Sequence, residues 1–499
     1  MRVILITRFI RFCRSTEHLV NRRVFDVCRA INNREEKMTK LLNITIASVA
    51  TLGACTTLAI GDVYGPYPIT LKNYSGSKTN SVAYTGQIAR HVLHDSLKKL
   101  AAKGNGNPNE ALKKQMLEFY SGKTPGRKIV APVSKGTFQI KQEIVDEISK
   151  KKNLSGKTYK GAITGMPNNM SGPELIKFWI DKASSANRGV DKANGYHYPQ
   201  LISKFIMGAV SYNQAVDNYL DEKMTAKKKP NNKPYKKGAP YTGKEHSWDE
   251  AFGYYGTPAH SLSLDPKVIY AIAKRKASAL KHADVNGDGK VDLKREMVFG
   301  PAYYAAAADK TGRTNYGRTI TKAFIDGRKI ITSANGKKLS QEQLGKLRKL
   351  ASIIEDNWEK TLAEAVFKYA GSCFKDLKAI QQGKLSAQGK YLKHWGELKG
   401  FSLSLQVGRK NLGATASKLN RLIGVGPVMA NLSQVTDIDS SGNYVKSQAS
   451  SIGEYMGHML KVQKLMLDKF GVKARINDQT ADMSNMLKKL GGGSSVEND

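Results

Sequence analysis

Cysteine is scarce in this chain, and acidic side chains are few for its length. Four cysteines among 499 residues, Cys13, Cys28, Cys55 and Cys373, are too few for a fold held together by a disulfide framework. Lys and Arg number 80 against 42 Asp and Glu, so the net charge is +38. This excess attracts anionic partners. The basic residues are spread along the whole chain, however, which is typical of a solvated surface. No helix-turn-helix, zinc-finger or RNA-binding signature is present, so nucleic acid is not expected as a partner.

The common catalytic signatures are also missing from the sequence. It contains no His-Glu-x-x-His pattern, no phosphate-binding glycine loop, no dinucleotide-binding fingerprint and no Ser/His/Asp arrangement. A metallopeptidase is therefore disfavoured, and no catalytic residue is assigned. Binding is the expected activity rather than catalysis.

An export signal is predicted near the beginning of the chain. Met38 and the charged Lys40 precede an apolar run over residues 41–52, which is too short to span a membrane. The run ends in Gly53-Ala54-Cys55, a pattern similar to the lipidation site of bacterial lipoproteins. Cleavage by an ordinary signal peptidase within residues 54–61 is the alternative.

The predicted organisation follows from this signal. Residues 1–37 are expected to be an over-extended start, residues 38–54 a lipoprotein signal peptide, and Cys55 the lipidated first residue of the mature protein. The lipid would hold the protein at a membrane of the cell envelope, as an outer-membrane or periplasmic lipoprotein of a Gram-negative bacterium. Residues 55–80 are rich in Gly, Pro and Ser and are predicted to form a tether.

The fold class predicted for residues 81–470 is all-α, as one helical bundle or as two bundles that meet near residues 330–340. Apolar side chains recur at helical spacing in most of this region, whereas strand patterns are scarce. Residues 471–499 are predicted to be a flexible tail. Helices are predicted at about residues 85–100, 108–120, 137–151, 198–224, 339–376, 389–405, 411–435 and 447–470.

One loop has the oxygen spacing of a calcium site. Loop positions one, three, five and nine carry Asp284, Asn286, Asp288 and Asp292, and Gly287 and Gly289 allow sharp turns. The predicted Ca²⁺ ligands also include Lys290 at position seven and Glu296, which stands one residue later than the glutamate of a regular EF-hand. An ion-free turn rich in Asx residues is the alternative. A second stretch, Asp437 to Gly442, begins with a similar pattern of acids and glycine but lacks the later acids, and it is interpreted as a turn.

Two His-acid pairs predict a second kind of metal site. His246 stands three and four residues before Asp249 and Glu250, and His394 stands three residues before Glu397. Residues at this spacing share one face of a helix, and helical bundles build metal sites from such pairs on facing helices. With Glu359 on a third helix, these residues would suit Fe or Zn. A buried polar network is the alternative reading.

The first predicted helix carries further polar side chains. Gln87 and Arg90 are predicted to line the same cavity as the His-acid pairs, with a salt bridge or capping contact as the alternative. His91 and His94 are expected at exposed positions of this helix.

Four stretches carry a family resemblance: residues 84–90, 245–256, 356–360 and 394–405. Together they resemble a bacterial lipoprotein family defined by a domain of unknown function, over about residues 65–470. That family is similar to the imelysin-like proteins, which are helical, exported and linked to iron uptake. The resemblance therefore implies an imelysin-like helical fold. The imelysin-like signature is Gly-x-His-x-x-Glu; here Gly243 is one residue too far from His246, and Asp249 takes the place of the glutamate.

These observations lead to two hypotheses on function. The first is a lipid-anchored helical protein that binds a transition metal and serves iron uptake or sensing with an outer-membrane or periplasmic partner. It would also carry a structural calcium ion. The alternative is an envelope lipoprotein that binds anionic glycan or peptidoglycan, with the His-acid pairs serving only the structure.

Overall fold

The computed structural model describes residues 63–449, 451–481 and 483, and helices dominate them. All of these residues belong to one unit by their contacts. Its thirteen α-helices are α1 (Thr85–Leu100), α2 (Glu110–Tyr120), α3 (Gly172–Ser185), α4 (Tyr198–Ile206), α5 (Gly243–Tyr255), α6 (Pro266–Ala273), α7 (Leu280–Ala283), α8 (Gly300–Asp309), α9 (Tyr316–Ser333), α10 (Gln341–Gln381), α11 (Gln388–Leu405), α12 (Gly413–Ile423) and α13 (Ile452–Phe470). The predicted all-α class is confirmed.

Two small antiparallel hairpins and a π-helical stretch complete the described structure. Strand β1 (Val190–Asp191) pairs with β2 (Tyr196–His197), and β3 (Ser433–Ile438) pairs with β4 (Tyr444–Gln448). Helix α4 continues into two π-helical segments, Met207–Tyr212 and Gln214–Tyr219. Segments of this kind are rare in proteins and often accompany functional sites.

The long helix α10 forms the centre of the packing, and α9, α11 and α13 all lie against it. Ser340 caps its first turn by accepting a hydrogen bond from the backbone N–H of Gln343 at 3.1 Å. The apolar stripe predicted along it is buried, with Leu347, Ile354 and Trp358 among its members. Because α9 and α10 pack directly against each other, residues 330–340 do not separate two bundles.

Helix α5 is held between clear start and stop signals. Thr242 accepts a hydrogen bond from the N–H of Glu245 at 3.1 Å, and the Glu245 carboxylate accepts one from the N–H of Thr242 at 2.8 Å. Gly256 ends the helix with a φ of 70°, a conformation that favours glycine. Trp248 on α5 packs directly on Gly327 of α9, where a Cβ atom would lie only 2.0 Å from the indole ring.

Two of the predicted helices are wrong. Residues 137–151 contain only a short 3₁₀ turn, Val145–Glu147, because the extended residues before it pair with neighbouring segments: the N–H of Val291 donates to the carbonyl of Gln139 at 2.9 Å. The helix predicted over residues 411–435 stops at Ile423, where Gly424 has a φ of 83°, and β3 follows. Tertiary pairing and glycine conformation outweigh the apolar spacing in both places.

Parts of the predicted tether and tail pack against the helices, although residues 75–79 are exposed. Tyr64 is fully buried, and its ring stacks on Phe252 of α5 with centroids 3.7 Å apart. After α13, the Glu364 carboxylate accepts hydrogen bonds from the N–H groups of Lys473, Ala474 and Arg475 at 2.5, 2.6 and 3.1 Å. The predicted tether is therefore contradicted at Tyr64, and the predicted flexible tail is contradicted at residues 473–475. The predicted signal peptide and Cys55 lie outside the described residues.

Candidate functional site

One face of α5, which carries Glu245 and Asp249, is buried in the interior of the protein. Arg328 of α9 donates from Nε to Asp249 Oδ1 at 2.9 Å and from Nη1 to Glu245 Oε1 at 3.2 Å, and all three side chains are fully buried. Asp249 also accepts hydrogen bonds from the Tyr64 hydroxyl at 2.7 Å and from the Ala83 N–H at 3.0 Å. Burial raises the pKa of the Asp249 carboxyl to about 6, although Arg328 and these donors act in the opposite direction. Asp249 is thus part of a structural ion cluster.

The neighbouring face of α5 carries His246 and Glu250, and we call their surroundings the Glu250 site. It comprises Glu250 and His246 with side chains from α1, the loop before α3 and the end of the π-helical stretch, namely Gln87, Arg90, Lys152, Lys157, Tyr219 and Lys223. Gln87 Nε2 donates to Glu250 Oε1 at 2.8 Å. Glu250 Oε2 lies 3.7 Å from His246 Nε2 and accepts no hydrogen bond. Four residues predicted as site residues, Gln87, Arg90, His246 and Glu250, therefore meet here.

His246 is enclosed by two tyrosine rings. The centroid of its ring lies 4.4 Å from that of Tyr241, nearly parallel to it, and 4.3 Å from that of Tyr235. Burial lowers the pKa of the imidazole, while the Glu250 carboxylate raises it by a smaller amount. The imidazole of His246 is therefore held in its neutral form, and its Nδ1 is buried without a hydrogen bond of good geometry.

Four cationic side chains lie near Glu250, and the electrostatic effect of its carboxylate reaches Lys152, Lys157 and Lys223 although none of the four forms an ion pair with it. Arg90 donates to the backbone carbonyl oxygens of Asn153 and Gly86, each at 3.0 Å. Lys157 Nζ lies 3.5 Å from the Tyr219 hydroxyl, and Lys223 Nζ lies 3.9 Å from the centroid of the same ring. Burial lowers the pKa values of Lys152, Lys157 and Lys223, the last to about 8; neighbouring cations also lower them, while the Glu250 carboxylate acts in the opposite direction. Positive charge is therefore in excess at this site.

The loop that carries Lys223 is fixed by Lys244, a residue the sequence analysis did not single out. Lys244 is almost fully buried, and its ammonium donates to the backbone carbonyl oxygens of Lys223, Thr225 and Lys228 at 2.5, 2.7 and 2.5 Å. Burial lowers its pKa to about 8. No short motif marks Lys244, Lys152 or Lys157, because their role depends on a loop that folds back onto α5.

The six residues predicted to share a transition metal are not brought together. Each acid or imidazole outside the Glu250 site has its own partner: Asp249 pairs with Arg328, Glu359 with Lys410 at 2.8 Å, His394 with Asp376 at 2.6 Å and Glu397 with Lys204 at 3.8 Å. Glu359 and Asp376 are on one helix and stand about 25 Å apart along its axis. Throughout the part of the chain that the structure describes, no three His, Cys, Asp or Glu side chains form a group that could hold a metal ion. The prediction of one shared site is wrong in its geometry.

The predicted calcium loop folds onto its own backbone amides. The Asp284 carboxylate accepts hydrogen bonds from the N–H groups of Asp288 and Gly289 at 3.1 and 2.8 Å. Glu296 closes the loop by accepting from the N–H groups of Val285 and Asp292 at 3.2 and 2.7 Å.

The other predicted ligands of this loop are held in a similar way. Asn286 accepts from the N–H of Asp288 at 3.2 Å, Asp288 from that of Lys290 at 3.0 Å, and Asp292 from Gln142 Nε2 at 2.7 Å. Burial raises the pKa of Glu296, and Asp292 and Asp284 add to the rise, so the three carboxylates are neighbours. These hydrogen bonds are those of the ion-free turn, and calcium binding by the loop stays a prediction from the sequence.

The fold and the site together define a helical protein whose most distinctive polar feature is a basic cluster lined by tyrosines. The chain belongs to the family described as Domain of unknown function (DUF4856), whose model matches residues 139–412. Most of the Glu250 site lies in this segment, while Gln87 and Arg90 precede it. No curated protein matches the chain, and no solved structure does. Among the described helices, none has the length and apolar character needed to cross a membrane.

Proposed function

We propose that this protein binds an anionic glycan at the Glu250 site and does so in the cell envelope. The observation that supports the proposal is the excess of cations there: Arg90, Lys152, Lys157 and Lys223 lie near one carboxylate. An anionic group entering the site would relieve the repulsion among these cations, and charge-assisted hydrogen bonds are the stronger kind. Peptidoglycan is a second source of the same chemistry.

The remaining groups of the site suit the neutral parts of a sugar. Glu250 Oε2 and His246 Nδ1 are without hydrogen-bond partners and would be satisfied by sugar hydroxyls. Tyr235 and Tyr241 offer aromatic surface, and the side chains of His246 and Glu250 retain 14% and 13% of their exposure. The net charge of +38 would draw a polyanion towards the protein from a distance.

A transition ion at the Glu250 site is less well supported. His246 and Glu250 supply two ligands where a stable site usually has at least three from the protein, and the surrounding cations repel a metal ion. Iron or zinc binding and a role in metal uptake with an envelope partner stay predictions from the sequence, as does the relation to the imelysin-like proteins.

The substitution Glu250→Gln distinguishes binding of an anionic glycan from binding of a transition metal ion. Gln keeps an oxygen for the Gln87 amide but removes the only negative charge of the cluster. If the ligand is anionic, affinity for an oligogalacturonate should increase about fivefold, because a repelling charge is lost. Under the metal hypothesis the same substitution removes a ligand and abolishes binding of the ion. Titration calorimetry with oligogalacturonate, and separately with Zn²⁺ and Fe²⁺, measures both.

A charge-matched pair of variants tests whether the site is local. The double substitution Lys157→Ala/Lys223→Ala should weaken oligogalacturonate binding at least about tenfold, since it removes two charged donors. The control Lys384→Ala/Lys418→Ala removes two exposed lysines elsewhere and should leave the affinity nearly unchanged. Equal losses in both variants, or equal binding of a maltooligosaccharide of the same length, would refute a specific anionic-glycan site.

The proposed location depends on Cys55. If Cys55 carries a lipid, wild-type protein expressed with its signal should be found in the membrane fraction, and Cys55→Ala should move it to the soluble envelope fraction. An unchanged distribution would contradict the lipid anchor without bearing on the Glu250 site.

We further propose that the loop Asp284–Glu296 binds Ca²⁺ as a structural ion. The loop is joined to a segment much earlier in the chain, because the N–H of Lys141 donates to the carbonyl of Val291 at 3.0 Å. An ion held there would fasten the long connection between α7 and α8 to the rest of the fold.

A further inference from the structure

A cavity of about 330 Å³ lies at the C-terminal end of α5, lined by residues of α6, α8 and the beginning of α9. Its size is at the lower end of the range for small-molecule sites. Tyr255 and Thr257 line it from α5 and the residues just after that helix, and Leu262 and Ile269 contribute apolar surface. The cavity shares no residue with the Glu250 site, so the inference below does not rest on the proposed function.

Ser261 lines this cavity with a hydroxyl that has no hydrogen-bond partner. The residue is only 4% exposed, and its Oγ is buried and unpaired. A buried hydroxyl without a partner is unfavourable, because it has lost its hydrogen bonds to water and gained none in the protein. A bound molecule with a polar group in the cavity would remove that cost.

Charges of opposite sign lie at this cavity without forming an ion pair with each other: Asp309 is buried, and Asp265 and Arg318 are exposed at its rim. Asp309 accepts hydrogen bonds from the Thr314 hydroxyl at 2.7 Å and from the N–H groups of Tyr316 and Gly317 at 2.8 and 2.7 Å, not from Arg318. Asp265 accepts from the N–H of Lys267 at 2.7 Å as the cap of α6. Arg318 donates from Nη1 to the carbonyl oxygen of Leu262 at 2.8 Å, which leaves further N–H groups of its guanidinium for a ligand.

The geometry points to a free α-amino acid with an apolar side chain as the ligand of this cavity. Its carboxylate would pair with Arg318, its ammonium would pair with Asp265 or the remaining lone pair of Asp309, and its side chain would contact Leu262, Leu264 and Ile269. A neutral sugar fits the volume but would form no ion pair with Arg318 or with the carboxylates, whereas a zwitterion would pair with both. A simple anion would satisfy only one side of the cavity.

Four probes test this assignment by calorimetry or by ligand-observed NMR on the purified protein. L-leucine should bind, while N-acetyl-L-leucine, which lacks the ammonium, and L-leucinamide, which lacks the carboxylate, should each bind at least about tenfold more weakly. Glucose should not bind. Glucose binding as tight as that of leucine, or no binding of leucine at all, would overturn the assignment and leave a cavity filled by water.

Matched variants locate the binding and control for folding. Arg318→Ala should weaken leucine binding at least about tenfold, whereas Arg313→Ala, at an exposed position on the loop before α9, should not change it. Asp265→Asn keeps a good helix cap and removes the charge, so it should weaken leucine binding without lowering the melting temperature by more than a few degrees. Unchanged leucine affinity in both Arg318→Ala and Asp265→Asn would contradict the proposal, whatever the Glu250 site binds.

Discussion

At the scale of single residues, the polar side chains of α5 serve two purposes on adjacent faces. Glu245 and Asp249 are one helical turn apart and meet Arg328 in the interior. His246 and Glu250 have the same spacing, shifted by one position, and this shift turns them by about 100° onto the Glu250 site. The sequence shows both pairs but not which of them is buried, since that depends on where α9 packs.

The substitution Arg328→Met tests the buried ion cluster. It leaves Glu245 and Asp249 buried without their counter-charge, so the free energy of unfolding should fall by about 3–5 kcal/mol. Chemical denaturation followed by circular dichroism measures the loss. The exposed Arg313 provides the control: Arg313→Met should change stability by less than about 0.5 kcal/mol. A loss below about 1 kcal/mol for Arg328→Met would mean that the cluster is dispensable.

His91 predicts a loss of stability in acid. The side chain is buried on α1, contrary to the expectation of an exposed position, and its Nε2 lies 3.1 Å from the carbonyl oxygen of Gly253. Burial lowers its pKa to about 4. His91 is therefore protonated below about pH 6.5 in the unfolded chain but only below about pH 4 in the folded protein. The contribution of the neutral His91 to the free energy of unfolding is therefore complete above pH 6.5 and decreases as the pH falls towards 4.

His91→Gln should reduce this acid sensitivity. Between pH 7 and pH 4.5 the wild-type protein should lose about 2 kcal/mol more than the variant, because Gln has no proton to take up. Denaturant titrations of both proteins at the two pH values give this difference directly. If the two pH profiles are parallel, His91 does not titrate differently in the folded and unfolded states.

At the scale of elements, the loop Asp284–Glu296 and the turn at Asp439 have similar patterns of Asp, Asn and Gly but differ in the acids that follow. Both fold a carboxylate onto nearby N–H groups; Asp439 accepts from Ser441 and Asn443 at 2.9 and 2.8 Å. Only the first loop has later acids, Asp292 and Glu296, that return to it. The turn at Asp439 joins β3 to β4 as expected of a plain turn, and this difference makes it a natural control.

Calcium should stabilise the protein through the first loop alone. At a Ca²⁺ concentration about a hundred times the dissociation constant, the gain would be about 2.7 kcal/mol, visible as a higher melting temperature than in chelator. Asp284→Ala should abolish the gain, whereas Asp439→Ala should preserve it. A melting temperature that does not respond to Ca²⁺ in the wild-type protein would favour the ion-free turn.

At the scale of the whole molecule, the excess of positive charge acts on binding and on stability in opposite ways. Like charges repel each other in the folded protein, and the net charge of +38 is large for a chain of 499 residues. The same charge attracts a polyanion. Added salt screens both effects at once.

Raising the ionic strength from about 0.02 M to about 0.5 M should therefore have two measurable results. The melting temperature should rise because repulsion is screened, while affinity for oligogalacturonate should fall steeply. Differential scanning calorimetry and binding titrations in the same buffers measure the two trends. An affinity that does not depend on salt would argue against charge-driven recognition, even if the protein is stabilised as expected.

The sequence alone was sufficient for the all-α fold class and for placing Gln87, Arg90, His246 and Glu250 on helices. The apolar stripe of α10, the capped start of α5 and the positions of α1 and α11 follow from local spacing and capping, which nearby residues decide. Gln87, Arg90, His246 and Glu250 were recognised because each stands at a regular position of such a helix.

Only the tertiary structure decided which polar residues meet. His394, Glu359 and Asp249 have suitable types and spacing for a shared ion, but each is paired with a basic residue or an acid that is distant in sequence. Lys157 and Lys223 reach the Glu250 site only because their loops fold back towards α5. Local spacing fixes how side chains are arranged on one helix, whereas the pairing of charges depends on contacts between residues far apart in the chain, and these are set by how the helices pack.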